Sequence, residues 1–386
     1  MTTVEGRLPW RRLSAFYLFY FAALGALLPY WSVYLKGIGF SEAVIGQAMA
    51  ALMVSKVVAP NVWGWLADRR GRRMGVIRFA SLAGALLFSF ALWAREAWQI
   101  GLVMLAFGFF WHASLPQFEA VTMSHLRGAE QRYARIRLWG SIGFILTVAG
   151  LGWWYQRHSL DSLPFILLLL YVGIWLTSLL VPEPPPTPVH ESDGESLRQV
   201  LRGRPEIVVL LVACFLVQVG HGPYYTFFTL YLERFDYGRG FIGALWALGV
   251  VAEIGLFLWL PRLMPRLGVR LLFVAALALT TGRWLLIAML PQNLPLLLLA
   301  QLLHAASFGV VHAVAIHLIH RWFTPRTHGR GQALYSSLSF GAGGAFGSYL
   351  AGVLWDGVNP EATFVMSAVV SGIAWLLAWR WLPRRI

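Results

Sequence analysis

Charge is scarce in this chain. Asp, Glu, Lys and Arg together make 12% of its 386 residues, while 58% are hydrophobic. A soluble domain carries roughly twice that charged fraction. Cysteine is nearly absent: the one copy, Cys214, falls in an apolar run, so a disulfide framework within the chain is excluded. Acidic residues are the scarcer sign, 17 against 31 Lys and Arg, for a formal net charge of +14. Such an excess invites a nucleic-acid reading, but arginines gathered on one side of a membrane account for it. Also missing are a phosphate-cradling glycine loop, a metal-ligand cluster and a nucleophile with a base at recognisable spacing. An enzyme is therefore not expected, and no cofactor. His317 and His320 have no further clear ligand beside them, so no metal site is expected there. A sensor is not expected either, since no signalling tail follows the last apolar run before Ile386.

What is abundant is apolar segments of about 20 residues, long enough to cross a bilayer. In lipid the backbone must satisfy its own amides, so repeated spans of this length mean helices. Twelve are predicted, over 13–35, 42–66, 75–93, 98–122, 134–155, 162–181, 207–232, 240–261, 270–290, 294–320, 332–354 and 362–381. Arg11 and Arg12 before the first run could pass for a signal peptide, but the run is long and many comparable ones follow. Between the sixth and seventh lies "PEPPPTPVHESDGES", Pro182 to Ser196, proline-rich and then polar, which predicts an extended linker. The expected plan is an all-α membrane protein. An N-terminal six-helix half, 1–181, and a C-terminal six-helix half, 207–386, are joined by a cytoplasmic linker, 182–206.

Lys and Arg set the orientation. Of the 31, 22 fall in the termini and loops on the N-terminal side, among them Arg7, Arg127, Arg326, Arg384 and Arg385; five lie on the opposite side. Four remain inside helices: Lys56, Arg78, Arg137 and Arg283. That bias places both termini in the cytoplasm and supports an even number of spans.

A shift of 197 residues superposes the halves without a gap: Tyr34 and Leu35 fall on Tyr231 and Leu232, Ile45 and Gly46 on Ile242 and Gly243, and Arg69, Gly71 and Arg73 on Arg266, Gly268 and Arg270. Matches at one offset argue for two pseudo-symmetric halves of common ancestry. At the same offset Glu253, inside the apolar "WALGVVAEIGLF", falls on Lys56.

"GWLADRRGRR", Gly64 to Arg73, follows the second span. It resembles the cytoplasmic loop signature of the major facilitator superfamily, and the resemblance implies a gate of Gly64, Asp68, Arg69, Gly71, Arg72 and Arg73. Gly64 would permit close helix approach, and Asp68 would accept hydrogen bonds from a neighbouring helix N-terminus. The second copy is degraded, with Pro265 at the Asp68 position, so the gate is expected to be asymmetric. "LPYWSVYLKGIG", "RLWGS", "YYTFFTLYL", "LWALGVVAE", "LLHAASFGVVH" and "QALYSS" are similar to the 3-phenylpropionate transporter group, relatives of lactose permease. That resemblance covers nearly the whole chain and implies proton-coupled uptake.

Ionisable groups at membrane depth are costly unless paired, and they usually face a cavity. Glu119 and Arg137 lie 18 residues apart in "EAVTMSHLRGAEQRYARIR", which aligns with the sugar-binding Glu and Arg of lactose permease. Phe144 stands where that protein stacks its sugar on a Trp, which argues against a sugar. The plain alternative is a fixed salt bridge between the fourth and fifth helices. Gln218, His221 and Tyr225 share one helix face at i, i+3, i+7, as do Gln301, His304 and Phe308, with His312 further along. His304 aligns with the coupling histidine of lactose permease, but the carboxylate three residues on is Ser307 here. Glu253 is then the leading proton carrier, its candidate partners Lys56, Arg137 and Arg283; a static ion pair is the bland reading. Apolar surroundings favour the protonated carboxyl and a nearby cation the ionised one.

Three buried cations among aromatics such as Tyr34, Tyr224, Trp246 and Trp284 suit a small aromatic carboxylate, although Trp and Tyr also gather at membrane interfaces for structural reasons. The expectation is a proton symporter of a small organic acid in the bacterial inner membrane, working by alternating access. A nucleoside or sugar on the same fold is the other reading. Lys56, Glu119, Arg137, Gln218, His221, Tyr225, Trp246, Arg283 and Gln301 would bind substrate, and Glu253 and His304 would carry the proton. The expected partners are the substrate, protons and the lipid bilayer, with no nucleic acid, and the chain is expected to be a monomer.

Overall fold

The structure is a computed structural model that describes residues 8–126, 129–184, 197–324 and 327–383. The proline-rich stretch 185–196 and Arg7, Arg127, Arg326, Arg384 and Arg385 of the charge count lie outside the described residues.

Among the described residues, eleven helices are long and apolar enough to cross a membrane. They are Trp10–Gly37, Glu42–Arg70, Arg73–Leu92, Ala97–His125, Tyr133–Tyr155, Leu160–Leu180, Pro205–Glu233, Arg239–Leu267, Val269–Met289, Leu294–Trp322 and Pro360–Trp381. One further crossing, the eleventh in chain order, runs through His328–Tyr335, Ser336–Gly343 and Gly344–Gly357. They are called the first to twelfth spans below. Several reach 29 residues, roughly 43 Å at 1.5 Å per residue. That carries them through the headgroup layer and explains why they outrun the purely apolar windows. Within 182–206, Leu197–Gly203 forms a short helix.

Local chemistry fixes the helix ends. The side chains of Ser41, Asn293 and Asn359 accept from the backbone N–H three residues on, at 3.4, 3.2 and 2.7 Å, and Glu96 with Gln99 forms a capping box. The second span stops at Gly71, whose φ of 63° is the left-handed conformation that glycine adopts at little cost.

Two spans depart from the regular helix that their sequence spacing predicts. Ala305–Val310 in the tenth and Ser336–Gly343 in the eleventh are π-helical. Both stretches are rich in Ala, Ser and Gly, whose small side chains let a neighbour press against the opened turn: a Cβ on Gly341 would lie 2.9 Å from the backbone N of Val57.

The fold is two six-helix halves that cross at glycines. A Cβ on Gly46 of the second span would lie 2.7 Å from the Ser348 carbonyl oxygen, and one on Gly243 of the eighth 2.6 Å from that of Val148. Gly46 and Gly243 are partners at the 197-residue offset, so the repeat is written into the crossings as well as into the chain. Both crossings lie at the end of the molecule away from the termini. There the halves are also stapled by Ala43 N–H to Asp356 at 2.9 Å and Gly240 N–H to Gln156 at 3.0 Å. Nearer mid-membrane, Asn61 donates to Ser337 at 3.2 Å.

Candidate functional site

Arg283, on the ninth span, is 0% exposed. Its Nε donates to the Ala300 carbonyl at 3.0 Å and its Nη1 to Ser307 Oγ at 2.8 Å. The guanidinium carbon lies 4.4 Å from the Tyr224 ring centroid and 4.3 Å from that of Trp284. Hydrogen bonds to two of its nitrogens and ring faces across its plane stabilise an arginine this deep, while one nitrogen stays free. Ser307, the departure from lactose permease, thus holds the arginine. Arg283 does not pair with Glu253, as the sequence allowed.

Around Arg283 lie polar atoms without partners. Tyr224 donates to Gln301 Oε1 at 2.9 Å, while Gln301 Nε2, Arg283 Nη2 and Trp284 Nε1 are buried and bonded to nothing. All three are donors. His221 binds the Val217 carbonyl through Nδ1 at 2.8 Å, leaving Nε2 unpartnered; its ring lies 5.0 Å from that of Trp284. Gln218, from the same stripe, is buried elsewhere, against Gly343 of the eleventh span. Trp246 packs tilted against Tyr224, ring centroids 4.4 Å apart, and donates to Thr229 at 3.2 Å.

Glu253 finds a partner that was not among its candidates. Its Oε2 is 3.8 Å from His304 Nε2, and His304 Nδ1 is unpartnered. His304 stacks on Phe308 at 5.6 Å and Phe308 on His312 at 5.9 Å in a column, the i, i+4 neighbours of one helix face. His304 also lies 6.3 Å from His221 and 5.8 Å from Tyr224, ring to ring, so the carboxylate and the donor set share one neighbourhood.

The N-terminal half contributes differently held charges. Arg137 lies 3.8 Å over the Phe21 ring, and Lys56 lies 4.9 Å over Phe340 of the opposite half. Tyr133 reaches Glu119 at 3.5 Å. Among the described residues no ion pair within 4.0 Å joins Glu119 to Arg137, nor Lys56 to Glu253. Arg137 is near enough for its charge to act on Glu119, Glu253 and His312 alike, and Lys56 acts on Glu119. His112, bonded to Ser55 at 2.9 Å, belongs to this neighbourhood. Nothing in its sequence spacing singled it out.

At the loop after the second span, Asp68 pairs with Arg73, and Arg73 also donates to Gln117 at 2.5 Å. A Cβ on Gly64 would lie 3.4 Å from Gln117 Nε2, an ordinary contact and not the close helix approach expected there. The N-terminus of the third span is met by Glu183, whose two oxygens accept from Met74 N–H at 3.1 and 3.2 Å. Arg69 lies 5.4 Å over Trp65, an interface anchor; Arg72 is the residue before the third span.

Among the described residues, twelve crossings in two glycine-crossed halves, each with a cation held inside, have the build of a membrane transporter. The model of the MFS_1 like family matches residues 10–366, and the chain belongs to that family. It is 30% identical over 378 residues to a probable 3-phenylpropionic acid transporter of Escherichia coli (strain K12), across 93% of this chain and 94% of that protein. It is 28% identical over 369 residues to the maltose permease of Geobacillus stearothermophilus, across 93% and 91%. A crystal structure of the nucleoside transporter NupG superposes with a TM-score of 0.82 at 18% identity, over 96% of this chain and 99% of that one, a likeness of fold.

Proposed function

We propose that the chain is a proton-coupled symporter of a small carboxylate with an aromatic body, working in a bacterial inner membrane with both termini in the cytoplasm. The arrangement that supports this is the donor set of Arg283 Nη2, Trp284 Nε1 and Gln301 Nε2, walled by aromatic rings and adjoining the Glu253–His304 contact. A substrate carboxylate would accept from the three donors while its ring packs against Tyr224, Tyr225 and Trp246. The similarity to a probable 3-phenylpropionic acid transporter fits such a ligand.

Glu253 supplies the coupling. Ionised, it is drawn across the interface by the field of Arg137; protonated, it is not. Binding a proton at Glu253 and an anion at Arg283 thus neutralises both buried charges of the C-terminal half, and with them the pull toward Arg137. The halves, 1–181 and 207–386, then rock as a monomer about the glycine crossings, with 182–206 as their tether. His304 holds the Glu253 carboxylate and relays its proton. Asp68, Arg73 and their neighbours gate the cytoplasmic side.

The other reading, a nucleoside or sugar, draws on Glu119 and Arg137, which are not locked to each other and can meet hydroxyl groups. Competition of transport by 3-phenylpropionate and by nucleosides or maltose in reconstituted vesicles separates the two. Inhibition by the acid alone is expected; inhibition by a neutral compound alone overturns the acid.

A further inference from the structure

A second cluster of unpaired positive charge lies far from the transport site. Between the starts of the first and fifth spans is a cavity of about 980 Å³, lined by Arg11, Arg12, Arg132 and Arg135 with Trp10 and Trp139 at its walls. That is the size of a ligand site. Among the described residues no carboxylate lines it, and none of the four arginines has an ion-pair partner within 4.0 Å. Arg12 is tied to the Leu180 carbonyl at 3.1 Å, at the end of the sixth span, and Arg11 lies 5.6 Å from the Trp10 ring.

The cavity is on the outer side of the bundle. Arg135 and Trp139 are each two residues from Arg137, hence roughly 160° around the fifth helix from the side chain that looks toward the other half. Trp10 and Trp139 are 47% and 38% exposed, the placement of indoles at a headgroup layer. Four arginines lining one cavity, all exposed and without a carboxylate among them, favour an anion there. Guanidinium forks match phosphate oxygens two at a time. At a membrane interface the phosphate held in place by its own acyl chains is that of an anionic phospholipid, which basic pockets between membrane helices bind.

We infer that this cavity is a binding site for the headgroup of an anionic phospholipid, its chains lying along the groove between the first and fifth spans. The test is native mass spectrometry of the full-length, delipidated protein with phosphatidylglycerol, with phosphatidylcholine of the same chains, and with inorganic phosphate. Retained phosphatidylglycerol adducts are expected, with phosphatidylcholine lost on mild activation and phosphate not held. The double variant Arg132→Gln/Arg135→Gln should bind phosphatidylglycerol roughly thirtyfold more weakly. The control Arg262→Gln/Arg266→Gln, at another loop on the same side, should bind as the wild type does. Equal retention of both lipids by the wild type overturns the proposal without recourse to any variant. So does an unchanged adduct in the Arg132/Arg135 variant, while competition by inorganic phosphate at equal concentration assigns the cavity to a free anion instead.

Discussion

The two halves hold their buried cations in opposite ways. In the C-terminal half Arg283 is fully enclosed, bonded to a carbonyl and a hydroxyl and clamped between two rings. In the N-terminal half Arg137 and Lys56 rest on ring faces and keep part of their surface open. One half is a preorganised receptor; the other brings charges that can be redistributed. A transporter needs both, since a rigid site selects its ligand and a movable charge tells the bundle when the ligand and proton have arrived.

The sharpest way to break this comparison is to remove one cation from each half. Arg283→Met should weaken carboxylate binding by about 2–5 kcal/mol, because the remaining donors cannot replace a buried, hydrogen-bonded charge. Arg137→Met takes away a cation resting on a ring face and none of the three donors, so it should leave that binding nearly unchanged. Thermal-shift titration with 3-phenylpropionate on the purified protein reads both, and equal losses would contradict the division of labour.

The glycine crossings test whether the halves are alike where they touch. Gly46→Leu and Gly243→Leu each drive a side chain into a carbonyl of the opposite half, and each should cost about 1–3 kcal/mol, seen as a lowered melting midpoint. A loss at one site only would show that the two crossings are not mechanically equivalent.

A smaller contrast lies in the cytoplasmic loops. Arg270, the counterpart of Arg73, donates to the Trp379 and Leu382 carbonyls at 2.6 and 3.0 Å, fixing the end of the twelfth span. Arg73 instead pairs with Asp68, whose side chain is 58% exposed. Such a pair is worth at most about 1 kcal/mol, so Asp68→Asn should leave the melting midpoint nearly unchanged while Arg270→Gln lowers it. A drop with Asp68→Asn as large as that with Arg270→Gln would assign the loop a structural role.

Much of the fold could be read from the chain because lipid leaves the backbone few choices. Twelve apolar windows had to be helices, and a constant offset had to be a repeat. The site was less legible for a specific reason. Spacing along one helix says which residues share a face, not which neighbour that face meets. His304, expected on a stripe with Gln301, turned up as the neighbour of Glu253, and the three expected cations did not. Gln218 shared a helix face with His221 but packs on another helix. His112 and Phe21 carried no signal, since a lone histidine or phenylalanine in an apolar run reads as packing. The pairing of Asp68 within its own loop was equally hidden, because nothing local distinguishes a helix-end acceptor from a partner for Arg73.

The central claim is that Glu253 carries the proton. Reconstituted vesicles holding Glu253→Gln, given an inward 3-phenylpropionate gradient and a pH-sensitive dye inside, test it most directly. Substrate-driven proton uptake should vanish while exchange of labelled for unlabelled substrate persists. Normal proton uptake by this variant would contradict the account.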